Sequence, residues 1–256
     1  MMMLIDTHAH LYLPKFDDDR DEVMERARQN GIEKIYLPNI DHQSIPSMLK
    51  MEETYPDRCF AMMGLHPCSV KENYQEELKI VETWLGKRDF CAVGEIGIDL
   101  YWDTSFVEQQ KAAFRRQINW AKDLGRPIVI HSRASTDMTI DLIREEQDGR
   151  LAGIFHCFGG TVEQAKAITD LGFYLGIGGV LTFKKAGLDK TMAEVSLEHV
   201  VLETDAPYLA PTPFRGKRNE SAYIHQIASR LASIKETSLE ALAKITSANA
   251  QRIFAA

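Results

Sequence analysis

No stretch of the 256-residue chain holds the roughly 18–20 consecutive apolar residues that a bilayer crossing needs, so a transmembrane helix and a membrane partner are not expected. The segment Met1 to Leu13 has too short an apolar run for a secretory leader. It carries Asp6, His8 and His10 where such a leader needs an unbroken greasy core, and a cytoplasmic location is expected. Cysteine is sparse as well. Cys59, Cys68, Cys91 and Cys157 form no C-x-x-C pair, which argues against a thiolate zinc site or a redox motif and favours buried free thiols. Positive charge is in deficit, with 30 Lys and Arg against 37 Asp and Glu for a net charge of -7. That balance counts against broad electrostatic attraction to nucleic acid, although bound cations would escape such a count. Low-complexity tracts, strong internal repeats and Pro/Gly/Ser-rich linkers are all missing.

What is present is an ordinary globular composition, 45% hydrophobic and 26% charged, able to bury a large core. Eight short apolar runs rich in β-branched or aromatic residues recur along the length: Met3 to Thr7, Lys34 to Pro38, Phe60 to Leu65, Cys91 to Glu95, Pro127 to Ile130, Ala152 to Phe155, Phe173 to Gly178 and Val200 to Glu203. Amphipathic stretches separate them, among them Asp21 to Asn30, Phe106 to Leu124 and Val162 to Leu171, each followed by a helix-stopping glycine. Eight runs leave about 32 residues per unit, the size of a βα repeat. The expectation is an α/β fold, a single (β/α)8 TIM barrel spanning residues 1–256. Two further helices in Ser221 to Ala256, the second starting at Ser238, close the outer ring.

Nearly every run ends in a residue able to bind a metal. His8 and His10 follow the first, His66 the third, Glu95 the fourth, His131 the fifth, His156 the sixth and Asp205 the eighth. In a parallel barrel all strand C-termini open on one face, where barrel enzymes place their active sites. Five of the eight histidines therefore converge on one mouth. His8 and His10, two apart on an extended strand, share a side and can bite one ion. Taken singly, each histidine reads as a hydrogen-bonded core residue. Together, on different strands, they make coincidence the harder explanation. Glu95 lies in an apolar run between glycines, where a carboxylate is costly unless paired or coordinated. Asp205 follows the same logic, whereas Glu203 and Asp6 read as orienting partners. Six nitrogen and oxygen ligands exceed one tetrahedral shell and suit two divalent ions bridged by Glu95; zinc, manganese and magnesium all fit such a set.

The motifs Asp6-Thr-His-Ala-His-Leu11, Gly64-Leu-His-Pro67, Gly94-Glu-Ile-Gly-Ile-Asp99, Pro127-Ile-Val-Ile-His-Ser-Arg133, His156-Cys-Phe-Gly-Gly160, Leu202-Glu-Thr-Asp-Ala-Pro-Tyr-Leu209 and Arg215-Gly-Lys-Arg-Asn-Glu220 together resemble the TatD family of metal-dependent deoxyribonucleases. The resemblance covers the chain from Leu4 to about Phe254. It implies an amidohydrolase-like barrel with one metal held by His8, His10, Glu95 and Asp205, and a second by Glu95, His131 and His156. Two positions depart from the family pattern: Gly159 stands where Ser or Thr is common, and Ser221 where Pro is usual. Neither is a proposed ligand.

The leading reading is therefore a nuclease that cleaves phosphodiester bonds in DNA with a metal-activated water, Asp205 serving as ligand and general base. Arg133, Arg215, Lys217 and Arg218 are placed to meet substrate phosphates, and His66 to donate to one. Gly176, Gly178 and Gly179 would leave room for substrate, and Cys157, adjacent to His156, points the wrong way to be a nucleophile. A second reading keeps the site but hydrolyses a small cyclic amide or ester, as an amidohydrolase or lactonase does. A third is a non-enzymatic, metal-stabilised binding protein. No obligate protein partner is evident.

Overall fold

A computed structural model of the chain describes residues 3–255. Its strands are β1 (Leu4–Asp6), β2 (Ile32–Leu37), β3 (Cys59–Ala61), β4 (Val93–Asp99), β5 (Ile128–Arg133), β6 (Gly153–Phe155), β7 (Tyr174–Ile177) and β8 (Val200–Leu202). All pair in parallel and in sequence order, β1-β2-β3 and β4-β5-β6-β7-β8. Backbone bonds beyond the regular strands join the two sheets. Gly94 N–H donates to Met63 O at 3.1 Å on one side; on the other, Thr7 donates to Leu202 O at 3.0 Å and His10 to Ala206 O at 2.7 Å. The ring is closed, and the eight expected runs are its staves.

Helices α1 (Arg20–Gln29), α2 (Ile45–Thr54), α3 (Tyr74–Leu85), α4 (Val107–Leu124), α5 (Thr136–Glu146), α6 (Val162–Asp170), α7 (Leu188–Glu194), α8 (Ile224–Ile234) and α9 (Leu239–Phe254) complete the fold. Local chemistry sets their ends. Thr161 and Gln164 form a reciprocal capping box at the start of α6, Ser238 accepts from Ala241 N–H at the start of α9, and Gly125 ends α4 at φ 61°. None of the described helices is long and apolar enough to cross a membrane.

Two separate apolar clusters follow from the period-2 strands. One lies between strands and helices; the other joins Ile5, Tyr36, Met62, Val129, Ile154, Tyr174 and Val201, one residue from each of seven strands or their ends. This second set fills the barrel interior, as alternate strand residues must. Ala250 and Ile253 of α9 belong to it, and Phe254 stacks on Tyr36 at 3.7 Å. The last helix thus caps the floor of the barrel as well as the ring; Ala256, the end of the expected tail, lies outside the described residues. On β5 and β6 the interior positions continue from Val129 to His131 and from Ile154 to His156, so the alternation that builds the floor also aims imidazoles into the mouth.

Glu95 does not end its strand. β4 runs four residues further to Asp99, because Gly97, Ile98 and Asp99 keep pairing with His131, Ser132 and Arg133 after an irregularity between Gly94 and Ile96. Gly97, at φ 143°, permits that contact: a Cβ there would lie 2.0 Å from the His131 carbonyl oxygen.

Candidate metal centre

The mouth is braced first by backbone and by one buried carboxylate. Asp205 N–H donates to His8 O at 2.9 Å, and His156 N–H to Ile130 O at 2.9 Å, which fixes the stems of the three side chains. Asp6 accepts from the backbone of His8 and Thr204 and, at 2.6 Å each, from the hydroxyls of Thr204 and Ser221. Burial pushes its carboxyl up to about 7 even against these donors. Asp6 therefore ties β1 to the end of β8, and Ser221 supplies one of its bonds.

Glu95 stands at the centre, with 2% of its surface exposed. Its Oε2 lies 3.1 Å from His8 Nε2 and 3.5 Å from His10 Nε2. Its Oε1 lies 2.9 Å from His131 Nδ1, 3.3 Å from His66 Nε2 and 3.5 Å from His156 Nε2. Asp205 Oδ1 faces the first pair, 3.8 Å from His8 Nε2 and 3.6 Å from His10 Nε2. Burial alone would raise Glu95, yet His66, His8 and His156 hold it well below the usual carboxylate range.

The outer nitrogen of each imidazole decides what its inner nitrogen can do. Tyr12 spends its hydroxyl proton on Pro38 O at 2.6 Å, so His10 Nδ1 must donate to the Tyr12 oxygen at 2.9 Å, leaving a lone pair on Nε2. Glu203 accepts from His156 Nδ1 at 2.9 Å with the same result. Asp99 takes His131 Nε2–H at 2.8 Å, and its carboxyl is held below its ordinary range, leaving Nδ1 towards Glu95. His8 lacks such an acceptor, its Nδ1 being buried without a hydrogen-bond partner, and stacks on His156 at 3.6 Å instead. Lone pairs and carboxylate oxygens that face one another without a proton between them repel unless a cation intervenes. The donor set therefore fits divalent metal, and His8–His10–Glu95, His8–His156–Asp205 and His66–Glu95–His131 are spaced to hold it.

His66 belongs to the last group by distance but not by tautomer. Its Nδ1 accepts from Cys68 N–H at 3.0 Å, so a neutral ring carries its proton on Nε2, facing Glu95. In that tautomer it offers a proton at Nε2 and not a lone pair.

The basic residues divide. Arg133 and Arg215 are exposed, stacked on Tyr101 at 3.9 Å and on Phe183 at 3.7 Å, and Lys217 is exposed. Arg218 is a correction. Its guanidinium forks onto both Asp19 oxygens at 2.7 and 2.6 Å and also donates to Lys15 O, because the loop after β8 folds back over the start of α1. Those donors are spent on anchoring the loop. The glycines on and just after β7 are a second correction: a Cβ at Gly176 would lie 2.2 Å from Glu203 Oε2 and one at Gly179 1.9 Å from Leu209 O, so these two admit a carboxylate and a backbone, not substrate. Cys157 is no thiolate, since burial and then Asp205 push its thiol well above the ordinary value.

Sequence reasoning passed over Asp99 and Tyr12 as orienting groups. The signal for Asp99 was its parity with Glu95 and Gly97 on one strand; for Tyr12 it was the continuation of the His8, His10 alternation.

Comparisons with known proteins give the chain its relatives. The family model described as TatD related DNase matches residues 5–255. A protein named uncharacterized metal-dependent hydrolase YabD, from Bacillus subtilis, is 39% identical over 98% of this chain and 99% of its own. The 3'-5' ssDNA/RNA exonuclease TatD of Edwardsiella piscicida is 30% identical over 98% of this chain and 99% of its own. The crystal structure of YjjV, a TatD homologue from Escherichia coli, matches with a TM-score of 0.94 at 28% identity over 100% of both chains. With its barrel closed and its histidines gathered around Glu95, the chain belongs to the TatD-related DNase family of metal-dependent hydrolases.

Proposed function

We propose that the whole chain acts as one hydrolase domain that cleaves phosphodiester bonds in DNA. The residues to hold two divalent ions are His8, His10, Glu95 and Asp205 for one and Glu95, His131 and His156 for the other, with zinc, manganese and magnesium as candidates. Such ions would lower the pKa of water towards neutrality and offset charge on the phosphoryl oxygens. The observation that carries the reading is the opposition of the two Glu95 oxygens, each set against a different histidine group.

The chain's own groups supply the rest. Asp205 has a partly exposed side chain beside His8 and His10 and is positioned to accept the proton of the attacking water. His66 Nε2–H donates to a phosphate oxygen from the opposite side of Glu95. Arg133, Arg215 and Lys217 meet the backbone of an extended anion, which favours a nucleic acid over a small neutral amide or lactone. The relative named a ssDNA/RNA exonuclease supports the same substrate class. Four free cysteines favour a reducing compartment, the cytoplasm.

The test is metal-loaded protein offered single-stranded DNA, RNA, a dinucleotide and simple amides or lactones in parallel. Release of nucleotides from DNA supports the reading; turnover of the amide or lactone with inert DNA overturns it.

A further inference from the structure

Two large aromatic side chains stand in solvent where β4 leaves the mouth, Tyr101 with 59% and Trp102 with 68% of their surfaces exposed. Their rings meet edge to face at 5.0 Å, and the Arg133 guanidinium covers both, 3.9 Å from the Tyr101 centroid and 5.2 Å from Trp102. None of this is needed to hold metal or to close the barrel. Exposed aromatics packed with arginine present stacking surfaces and positive charge together, the pairing that binds unpaired nucleobases and their phosphates.

The cluster is bolted to the reactive centre. Asp99 Oδ1 accepts from Tyr101 N–H at 2.9 Å and from Trp102 N–H at 3.0 Å, while its Oδ2 accepts from His131 Nε2. One carboxylate thus fixes both the aromatic turn and a metal-facing imidazole. Leu100 N–H donates to Arg133 O at 2.9 Å, closing the turn against β5. Arg133 makes no ion pair among the described residues, so its charge is available to a ligand. It also lines a groove of about 910 Å³ with Gly159, Thr161 and Lys190. Apart from its chain neighbours, nothing lies within 4 Å of a Cβ built on Gly159, so the groove is open beside it.

We propose that Tyr101, Trp102 and Arg133 form a stacking platform for an unpaired base of a single-stranded substrate, next to the bond being cleaved, with the strand continuing past Arg133 into the groove. This rests on the nuclease reading and adds what that reading does not specify: the substrate's bases, and not its phosphates alone, contribute to binding through this cluster.

The test is binding of a fluorescein-labelled, phosphorothioate-linked deoxyoligonucleotide to the metal-loaded protein, followed by anisotropy, beside an abasic strand of equal length and linkage. Trp102→Ala weakens the base-bearing strand about tenfold and leaves the abasic strand unchanged, while Trp102→Phe, which keeps a ring face, stays close to the parent. Binding of the base-bearing strand also quenches tryptophan emission in the parent protein more than in Trp102→Ala. Equal losses on both strands, or none on either, overturn the platform. Cleavage of the ordinary phosphodiester strand is scored separately. Cleavage by the parent without any base dependence removes the platform alone, whereas a parent that neither binds nor cleaves DNA removes the nuclease reading and the platform with it.

Discussion

Glu203 Oε1 accepts both from His156 Nδ1, at 2.9 Å, and from Cys157 N–H, at 2.7 Å, so one buried carboxylate fixes the ring and its backbone together. Burial lowers the His156 pKa, but Glu203 and Glu95 outweigh it and raise the imidazole to about 10. A cation bound at His156 Nε2 therefore competes with a proton for that lone pair. Because the pKa is raised, metal affinity climbs as pH rises towards that value. Glu203→Gln removes the charge that raises it, so zinc titration calorimetry in buffers of different ionisation enthalpy should show fewer protons released. Affinity should fall about 10- to 100-fold with the loss of the orienting carboxylate. Unchanged affinity and proton release would sink this assignment.

Glu95 is asked to touch both histidine groups, and its removal should be felt at both. Elemental analysis of Glu95→Ala is expected to show loss of half or more of the bound metal, with turnover abolished. Glu95→Gln keeps the volume and tests the charge alone. Full metal content in either variant, with activity intact, would refute the bridge.

The pairing of Arg218 with Asp19 predicts matched effects from either side. Arg218→Ala and Asp19→Asn should each lower unfolding free energy at neutral pH by up to about 1 kcal/mol, as for a partly exposed pair. The Arg218 hydrogen bonds hold the Asp19 carboxyl below its ordinary value. A depressed carboxylate contributes stability that is present above its unfolded pKa of about 3.9 and lost as pH falls through the lowered folded value. Differences in melting temperature between parent and Asp19→Asn should shrink on acidification through that window. If Arg218 bound phosphate instead, Arg218→Ala would weaken DNA binding and Asp19→Asn would not.

The barrel was legible because period-2 runs and helix stops are local signals, written into a few neighbouring residues each. His8, His10, His131 and His156 were legible for the same reason: a polar group capping a buried run has no cheap alternative explanation when it recurs. Glu95 was recognised but misplaced to a strand end, since nothing local says that Gly97 lets β4 pack against His131 for four further residues. The fate of Arg218 depends on a partner 199 positions away, on how a loop folds back over α1. Likewise, the bareness of Gly176 makes sense only once the Glu203 carboxylate is seen beside it. Pair contacts between distant segments were the illegible part, and they decide which charged groups face substrate.

His66 separates a proton donor from a metal ligand, two roles that distance alone confuses. Its Nδ1 is occupied by Cys68 N–H, so the neutral ring can only donate from Nε2. Asparagine at this position keeps a short acceptor for the same N–H, as a cap residue does, and removes the donor that faces Glu95. His66→Asn should therefore keep its full complement of metal while kcat on DNA falls about a hundredfold, the scale for losing one donor to a developing phosphoryl charge. KM should move much less than kcat, because the contact strengthens as charge builds. A variant that instead loses metal in proportion to activity would make His66 a ligand, and would require its ring to turn away from Cys68.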